Sequence, residues 1–325
     1  MKGGATLAMS ETTLDSIEFA RERIAGIARR PPLERSRWLS GAGREVLLKL
    51  ECLQITGSFK IRGAAARLTA LAPEEKERGV LTVSAGNHGL AIAHAAAMLN
   101  VDVSIVVPES ASRAKVDQIK RYPVTVIERG AKYDQAERAA RAMERESGKT
   151  FVSPYNDPEV IAGQGTVALE ILEEAPDIDA VVVPVGGGGL LAGVAIALEA
   201  IDPRIKVYGA EPQASPTMTR SLEAGEIIAI DEDETIADGL AGNIEPGSMT
   251  FPIVQRLADG ILLVDEDAIS AAIAKVARED HLIIEGSAAA AIAALDDGRI
   301  RNGCVVVIVT GRNISFDLFM KACAG

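Results

Sequence analysis

Val183-Pro184-Val185-Gly186-Gly187-Gly188-Gly189-Leu190-Leu191-Ala192-Gly193 is an apolar, β-branched run that stops at four glycines and resumes as a helix-forming run. Residues without Cβ atoms let successive backbone N–H groups converge on an anion at a helix N-terminus, where the helix dipole adds to the attraction. A plain turn needs one or two glycines, so four read as a phosphate cradle. Taken as Gly187-x-Gly189-x-x-Ala192 with Glu211 after the next strand, the stretch also matches the dinucleotide fingerprint. The loop alone does not name the owner of the phosphate. A Walker A loop is excluded, because Met143 stands where the first glycine should precede Gly148-Lys149-Thr150.

Outward from this loop, β-branched runs at Val80–Ser84, Val101–Val107, Val124–Ile127, Val181–Val185, Lys206–Ala210 and Cys304–Thr310 alternate with helix-length segments. The latter are Gly89–Leu99, Ala111–Arg121, Asp134–Ser147, Pro158–Glu174 and Leu190–Ile201. That order predicts βα units in parallel sheets. The strand runs hardly alternate between apolar and polar, so helices are expected on both faces of each sheet. Ligands in such folds bind at the carboxyl ends of strands.

The 325 residues suffice for two ordinary domains or one large α/β unit. With 46 acidic against 34 basic residues, the net charge of −12 opposes nucleic acid and anionic membranes as partners. Cys52, Cys304 and Cys323 are odd in number and widely spaced, which argues against a disulfide framework and for a reducing cytoplasm. Met1–Met9 lacks the apolar stretch of a secretory signal and reads as a loose tail. Val181–Leu198 approaches the length of a membrane span, but Pro184 and the glycines make it strand, loop and helix.

Three further stretches carry chemistry-bearing residues. In Thr56-Gly57-Ser58-Phe59-Lys60-Ile61-Arg62-Gly63-Ala64, a partly apolar setting disfavours the Lys60 ammonium and frees the amine for carbonyl chemistry. On its own, Lys60 would read as one surface lysine among many. Ser84-Ala85-Gly86-Asn87-His88-Gly89 ends a strand and opens an Ala-rich helix, where side chains and loop N–H groups can hold a carboxylate or a ring hydroxyl. It could equally be a cap and turn with a structural histidine. Val309-Thr310-Gly311-Arg312-Asn313 ends a strand in a hydroxyl, a glycine and an arginine. His88, His94 and His281 have no metal-ligand spacing, and no GxSxG elbow occurs.

In this order the motifs resemble the fold-type II pyridoxal-phosphate enzymes, nearest the threonine/serine dehydratases and serine racemases. Ala162-Gly163-Gln164-Gly165-Thr166 and Thr235-Ile236-Ala237-Asp238-Gly239 extend the likeness from about residue 15 to the C-terminus. The resemblance implies a tryptophan synthase β-like α/β fold of two open parallel-sheet domains with helices on both faces. It divides the chain into a large cofactor-binding domain, residues 1–53 and 154–325, and a small mobile domain, residues 54–153. It implies Lys60 as the Schiff-base lysine, Phe59 beside the ring, Asn87 on the ring hydroxyl, and Gly186, Gly187, Gly188 and Gly189 around the phosphate. Thr310 would face the pyridine nitrogen, with Gly239 and Glu285 near the cofactor. Ser84, Ala85, Gly86, Asn87, His88 and Arg312 would surround the substrate. The activity implied is dehydration of a threonine- or serine-like amino acid to a 2-oxo acid and ammonia, in a cytoplasmic homodimer. The chain ends soon after Thr310, so no regulatory domain is expected there.

Three departures bear on specificity. Serine racemases of this branch usually carry a serine where Ala85 stands, so racemisation should be weak. Relatives with a divalent cation use a Glu and a later Asp; Glu211 is a possible ligand, but Thr217 takes the Asp position. Arg312 replaces a usual glycine, which suggests 3-hydroxyaspartate or an intermediate of hydroxyectoine breakdown as an alternative substrate. The rival from another class, an NAD(P)-dependent oxidoreductase built on Gly187, Gly189, Ala192 and Glu211, leaves the Lys60 and Asn87 motifs unexplained.

Overall fold

The structure, a computed structural model, describes residues 12–324; the expected tail Met1–Met9 lies outside them. The described strands are β1 (Leu33–Arg35), β2 (Arg44–Lys49), β3 (Val80–Val83), β4 (Val103–Val107), β5 (Thr125–Glu128), β6 (Thr150–Phe151), β7 (Ala180–Pro184), β8 (Lys206–Pro212), β9 (Gly260–Val264) and β10 (Gly303–Ile308). They form a six-stranded sheet in the order β1-β2-β10-β7-β8-β9 and a four-stranded sheet in the order β5-β4-β3-β6. All neighbours run parallel except β1, which is antiparallel to β2. The expected strands are all present, with ends one or more residues shorter or longer than the runs suggest. Every residue of β3, β4 and β7 is buried, as a strand covered on both faces must be.

The connections explain where a ligand can sit. The chain leaves β7 toward β8 on one side, while β10 flanks β7 on the other. Their carboxyl ends therefore open a crevice at a topological switch point, and the glycine loop and Thr310 lie at those two ends. In the small sheet β3 stands likewise between β4 and β6, and Ser84–Gly89 follows it. Among the described residues no helix is long and apolar enough to cross a membrane.

The helix Lys60–Thr69 lies between the two sheets. Its Ile61, Ala64 and Leu68 join the core of the small sheet, while Ala65 and Ala66 join that of the large one. It packs so closely on helix Pro158–Glu174 that a Cβ on Gly163 would stand 2.6 Å from the Arg62 carbonyl. A division at residue 54 would place this helix wholly with the small sheet, but its packing is shared.

Candidate active site

The end of β10 builds the floor of the crevice. Phe59 N–H donates to Thr310 O at 3.0 Å, Arg312 N–H donates to Gly57 O at 2.9 Å, and Ser58 bridges to Gly311. Lys60 is thereby placed at the first turn of its helix, and Lys60 Nζ donates to Pro154 O at 2.9 Å. The ammonium lies 5.1 Å from the centre of the Phe59 ring. Burial lowers the Lys60 pKa to about 8, with Glu285 partly opposing it. A sizeable neutral fraction at physiological pH follows, as an amine nucleophile or base requires.

Asn87 opens helix Asn87–Leu99 and meets the large sheet through its amide. Asn87 Nδ2 donates to Glu285 Oε1 at 2.7 Å, and Asn87 Oδ1 accepts from Asn313 Nδ2 at 2.6 Å. One N–H of Asn87 remains after the bond to Glu285, so a ring hydroxyl can still be held. Glu285 also accepts from Asn313 N–H at 3.0 Å. Its carboxylate occupies the space beside Gly311, where a Cβ would be 2.7 Å from Glu285 Cδ. Burial, with Asp238 nearby, raises the Glu285 pKa to about 7, against the hydrogen bonds from Asn87 and Asn313.

The glycine loop turns at Gly188 (φ +85°), ahead of helix Gly189–Ile201. Tyr155 lies flat against it: a Cβ on Gly187 would be 2.5 Å from Tyr155 Cγ, and one on Gly189 would be 3.0 Å from Tyr155 Cα. Tyr155 Oη accepts from Glu245 N–H at 2.7 Å, and Thr250 Oγ1 donates to Gly187 O at 2.7 Å. On the far side a Cβ on Gly186 would stand 3.1 Å from Leu240 Cα and 3.4 Å from Gly239 O. The consecutive pair Pro154-Tyr155 thus touches both the Lys60 amine and the glycine loop.

Four buried hydroxyls, those of Thr56, Ser58, Thr217 and Thr310, have no hydrogen-bond partner among the described residues, and Ser58 and Thr310 are the two on the floor of the crevice beside Lys60. An unpaired hydroxyl in the interior costs about 1–3 kcal/mol, so these atoms suit a partner from outside the chain. With the glycine cradle and the Lys60 amine, they fit a phosphorylated pyridine aldehyde: Thr310 would face the ring nitrogen and Gly186–Gly189 the phosphate.

Of the other expected residues, Ser84 Oγ accepts from Gly86 N–H at 3.1 Å and shapes the loop, and Ala85, Gly86 and Asn87 line a small cavity with Lys115 and Asn313. His88 is buried; Thr82 Oγ1 donates to Val152 O at 2.7 Å, so it accepts from His88 Nε2 at 3.1 Å and leaves Nδ1 without a proton. Burial and the nearby Lys60 lower the His88 pKa to about 3. A carboxylate beside this loop must therefore be met by backbone N–H groups rather than by the imidazole. Gly239 N–H donates to Ser287 Oγ at 3.0 Å.

Two side chains stand apart. Arg312 is exposed, and only its backbone joins the polar cluster. Glu211 is buried behind the loop, where it accepts from Met218 N–H at 2.7 Å and Thr219 N–H at 3.0 Å at the start of helix Thr217–Ala224. That carboxylate is committed to a helix end and is not free for a ribose, which removes the support for the oxidoreductase reading. Sequence reasoning missed Tyr155, Pro154 and Thr250, and assigned no role to Asn313. Asn313 lies inside a quoted motif, but a backbone carbonyl such as that of Pro154 leaves no trace in a sequence.

The profile of the pyridoxal-phosphate dependent enzyme family matches residues 24–311. The chain is 39% identical to the L-threonine ammonia-lyase of Thermotoga maritima over 94% of its own length and 77% of the relative's. It is 40% identical to the catabolic L-threonine dehydratase of Escherichia coli over 93% of both chains. Among solved structures, maize serine racemase superposes with a TM-score of 0.91 at 35% identity, covering 97% of this chain and 98% of that one.

Proposed function

The chain belongs to the pyridoxal-phosphate dependent enzyme family, in the branch of threonine ammonia-lyases and serine racemases, and from that premise we propose that it dehydrates and deaminates a β-hydroxy amino acid. The substrate is of the threonine or serine type, and the products are a 2-oxo acid and ammonia. The observation that carries this reading is the half-buried Lys60 amine, donating to Pro154 O with its pKa lowered, next to the turn that Thr310 anchors.

Pyridoxal phosphate, when bound, supplies an aldehyde that takes up an amino group and a ring that withdraws electrons from Cα. The chain's own residues do the rest. Lys60 Nζ, when neutral, is the base that removes the Cα proton. With pyridoxal phosphate bound, the Thr310 hydroxyl would donate to the ring nitrogen without protonating it, which would keep electron withdrawal modest, and the proton that Lys60 takes from Cα is the one available to leave with the β-hydroxyl as water. Backbone N–H groups at the start of helix Asn87–Leu99, with Ser84, hold the substrate carboxylate. Water returns in the last step, so the net change is loss of ammonia.

In the same reading the part of residues 54–153 built on the small sheet closes on the remainder, while helix Lys60–Thr69, held through Arg62 by Glu51 and Glu170, stays with the large sheet. Two ion pairs join elements of the small sheet to loops beside the large one and support this: Lys115 with Asp238, and Arg141 with Glu245 at 2.6 Å. A cytoplasmic homodimer completes the proposal. Its support is that Cys52, Cys304 and Cys323 are all unbridged, and that Phe316 and Met320, one turn apart on the last helix, are exposed.

The purified protein should be yellow, borohydride should fix the chromophore to Lys60, and threonine or serine should yield a 2-oxo acid. A colourless protein, or label elsewhere, overturns the reading. For the finer choice of substrate, Arg312 offers an exposed cation. Because the side chain is exposed, Arg312→Gly should lower kcat/KM on 3-hydroxyaspartate relative to threonine by up to about fivefold, the range of a solvated ion pair. An unchanged ranking removes Arg312 from recognition.

A further inference from the structure

Two residues beyond Lys60, the same helix carries a buried guanidinium that the reaction does not touch. Arg62 is 1% exposed, and Glu51 and Lys49, both 0% exposed, and Glu170, 6% exposed, surround it. Arg62 Nε and Nη2 donate to the two oxygens of Glu51 at 2.8 Å each, and Nη1 and Nη2 donate to the two oxygens of Glu170 at 2.7 Å each. The remaining Nη1 hydrogen meets Thr166 Oγ1 at 3.0 Å. Thr166 in turn donates to Gly163 O, so its oxygen is an acceptor for Arg62. Every N–H of the fork is used. Lys49 Nζ balances the second carboxylate at 2.8 Å from Glu170 and donates to Pro31 O at 2.6 Å.

Such a cluster is a poor investment for stability alone, because desolvating four charges offsets most of their attraction and apolar packing would do as well. What it supplies is registry. A planar fork satisfied by two carboxylates has one geometry, which a lysine's point charge cannot reproduce. Glu51 lies two residues past the end of β2 and Glu170 lies in helix Pro158–Glu174. The fork therefore ties the first turn of helix Lys60–Thr69 to the large sheet's side, although three of the helix's apolar residues pack with the small sheet.

We propose that Arg62 is a positioning residue, whose paired carboxylates fix the turn that carries Lys60 and so decide where the Lys60 amine stands relative to Pro154 and Thr310. The inference rests on Lys60 being the reactive amine. In the full-length chain freed of cofactor, the rate at which a small amine-acylating reagent labels Lys60, mapped by peptide mass, is followed against pH. Wild type should show a midpoint near 8, as should Ile61→Val, a substitution in the same turn that trims packing and leaves the fork intact. Arg62→Lys and Glu51→Gln should each raise the midpoint by about one unit as the amine gains access to water. They should also slow covalent capture of pyridoxal phosphate at Lys60. Should Arg62→Lys not fold, Glu51→Gln decides by itself. Unchanged midpoints and capture rates in variants that melt earlier would make the cluster purely structural and overturn the proposal. Wild-type capture at a lysine other than Lys60 would instead refute the underlying reading of the site.

Discussion

Thr310→Val separates the two demands placed on one hydroxyl. Thr310 is 2% exposed, and its Oγ1 has no partner among the described residues, while its carbonyl oxygen holds Phe59 N–H and is unaffected by the side chain. Valine nearly matches threonine in shape, so the substitution deletes an unpaired polar atom without opening a cavity. The cofactor-free chain should gain about 1–3 kcal/mol, the cost of an unsatisfied buried group. For a chain of 325 residues, at about 2 cal/mol/K of unfolding entropy per residue, that is a rise in melting temperature of about 1.5–4.5 °C. Binding of pyridoxal phosphate should move the other way. Loss of one neutral hydrogen bond, about 0.5–1.5 kcal/mol, weakens affinity about 2- to 13-fold. Melting with and without cofactor, together with absorbance titration, gives both numbers. A fall in cofactor-free stability, or an affinity equal to wild type, would mean that the hydroxyl has a partner within the chain and that the reasoning about the ring nitrogen is wrong.

Glu285, raised from an ordinary 4.5 to about 7, binds its proton more tightly folded than unfolded, so its contribution to stability is present below pH 4.5 and is lost as pH rises to 7, about 3 kcal/mol in all. Glu211 is raised alike, while His88, lowered to about 3, acts in the opposite sense up to its ordinary 6.5, so Glu285→Gln should take about 3 kcal/mol off the change in unfolding free energy between pH 4.5 and 7; an unchanged slope in urea titrations at several pH values would refute it. Gly187→Ala puts a methyl into the Tyr155 ring and should weaken pyridoxal phosphate binding by about 1–3 kcal/mol, measured by titration and partly restored by Tyr155→Ala. Ala85→Ser places a hydroxyl among the residues that line the cavity beside Asn87. It should raise formation of D-serine from L-serine by about 100-fold, the lower range for an added acid–base group, as read by chiral chromatography; no increase would show that Ala85 does not limit racemisation.

Much of the fold is legible because its signals are local. The runs that became β3, β4, β7 and β10 are buried on both faces and had to be continuous and apolar. The reading leaves out β1, β2, β6 and β9. β6 is only two residues long and β1 three, too short for any period, and the charged ends of β2 mask its apolar centre. Helix Lys60–Thr69 is faint in the sequence because Gly63 weakens its helix signal, and that glycine is required by contact with Val160 and Gln164 of helix Pro158–Glu174.

By itself the sequence determined which residue types could do the chemistry and in what order they occur: a lysine in an apolar setting, an Asn at a helix start, four glycines after a strand, a hydroxyl at the end of another. The tertiary structure decided which of them meet. Asn87 and Glu285 are 198 residues apart in the chain and 2.7 Å apart in space, and no spacing rule links them. It also decided that Glu211 serves a helix end, that His88 offers a bare nitrogen, that Arg312 stays in water, and that Arg62 is spent in a closed set of hydrogen bonds. The reason is physical: secondary structure follows from neighbours along the chain, whereas pKa, hydrogen-bond saturation and burial follow from neighbours in space.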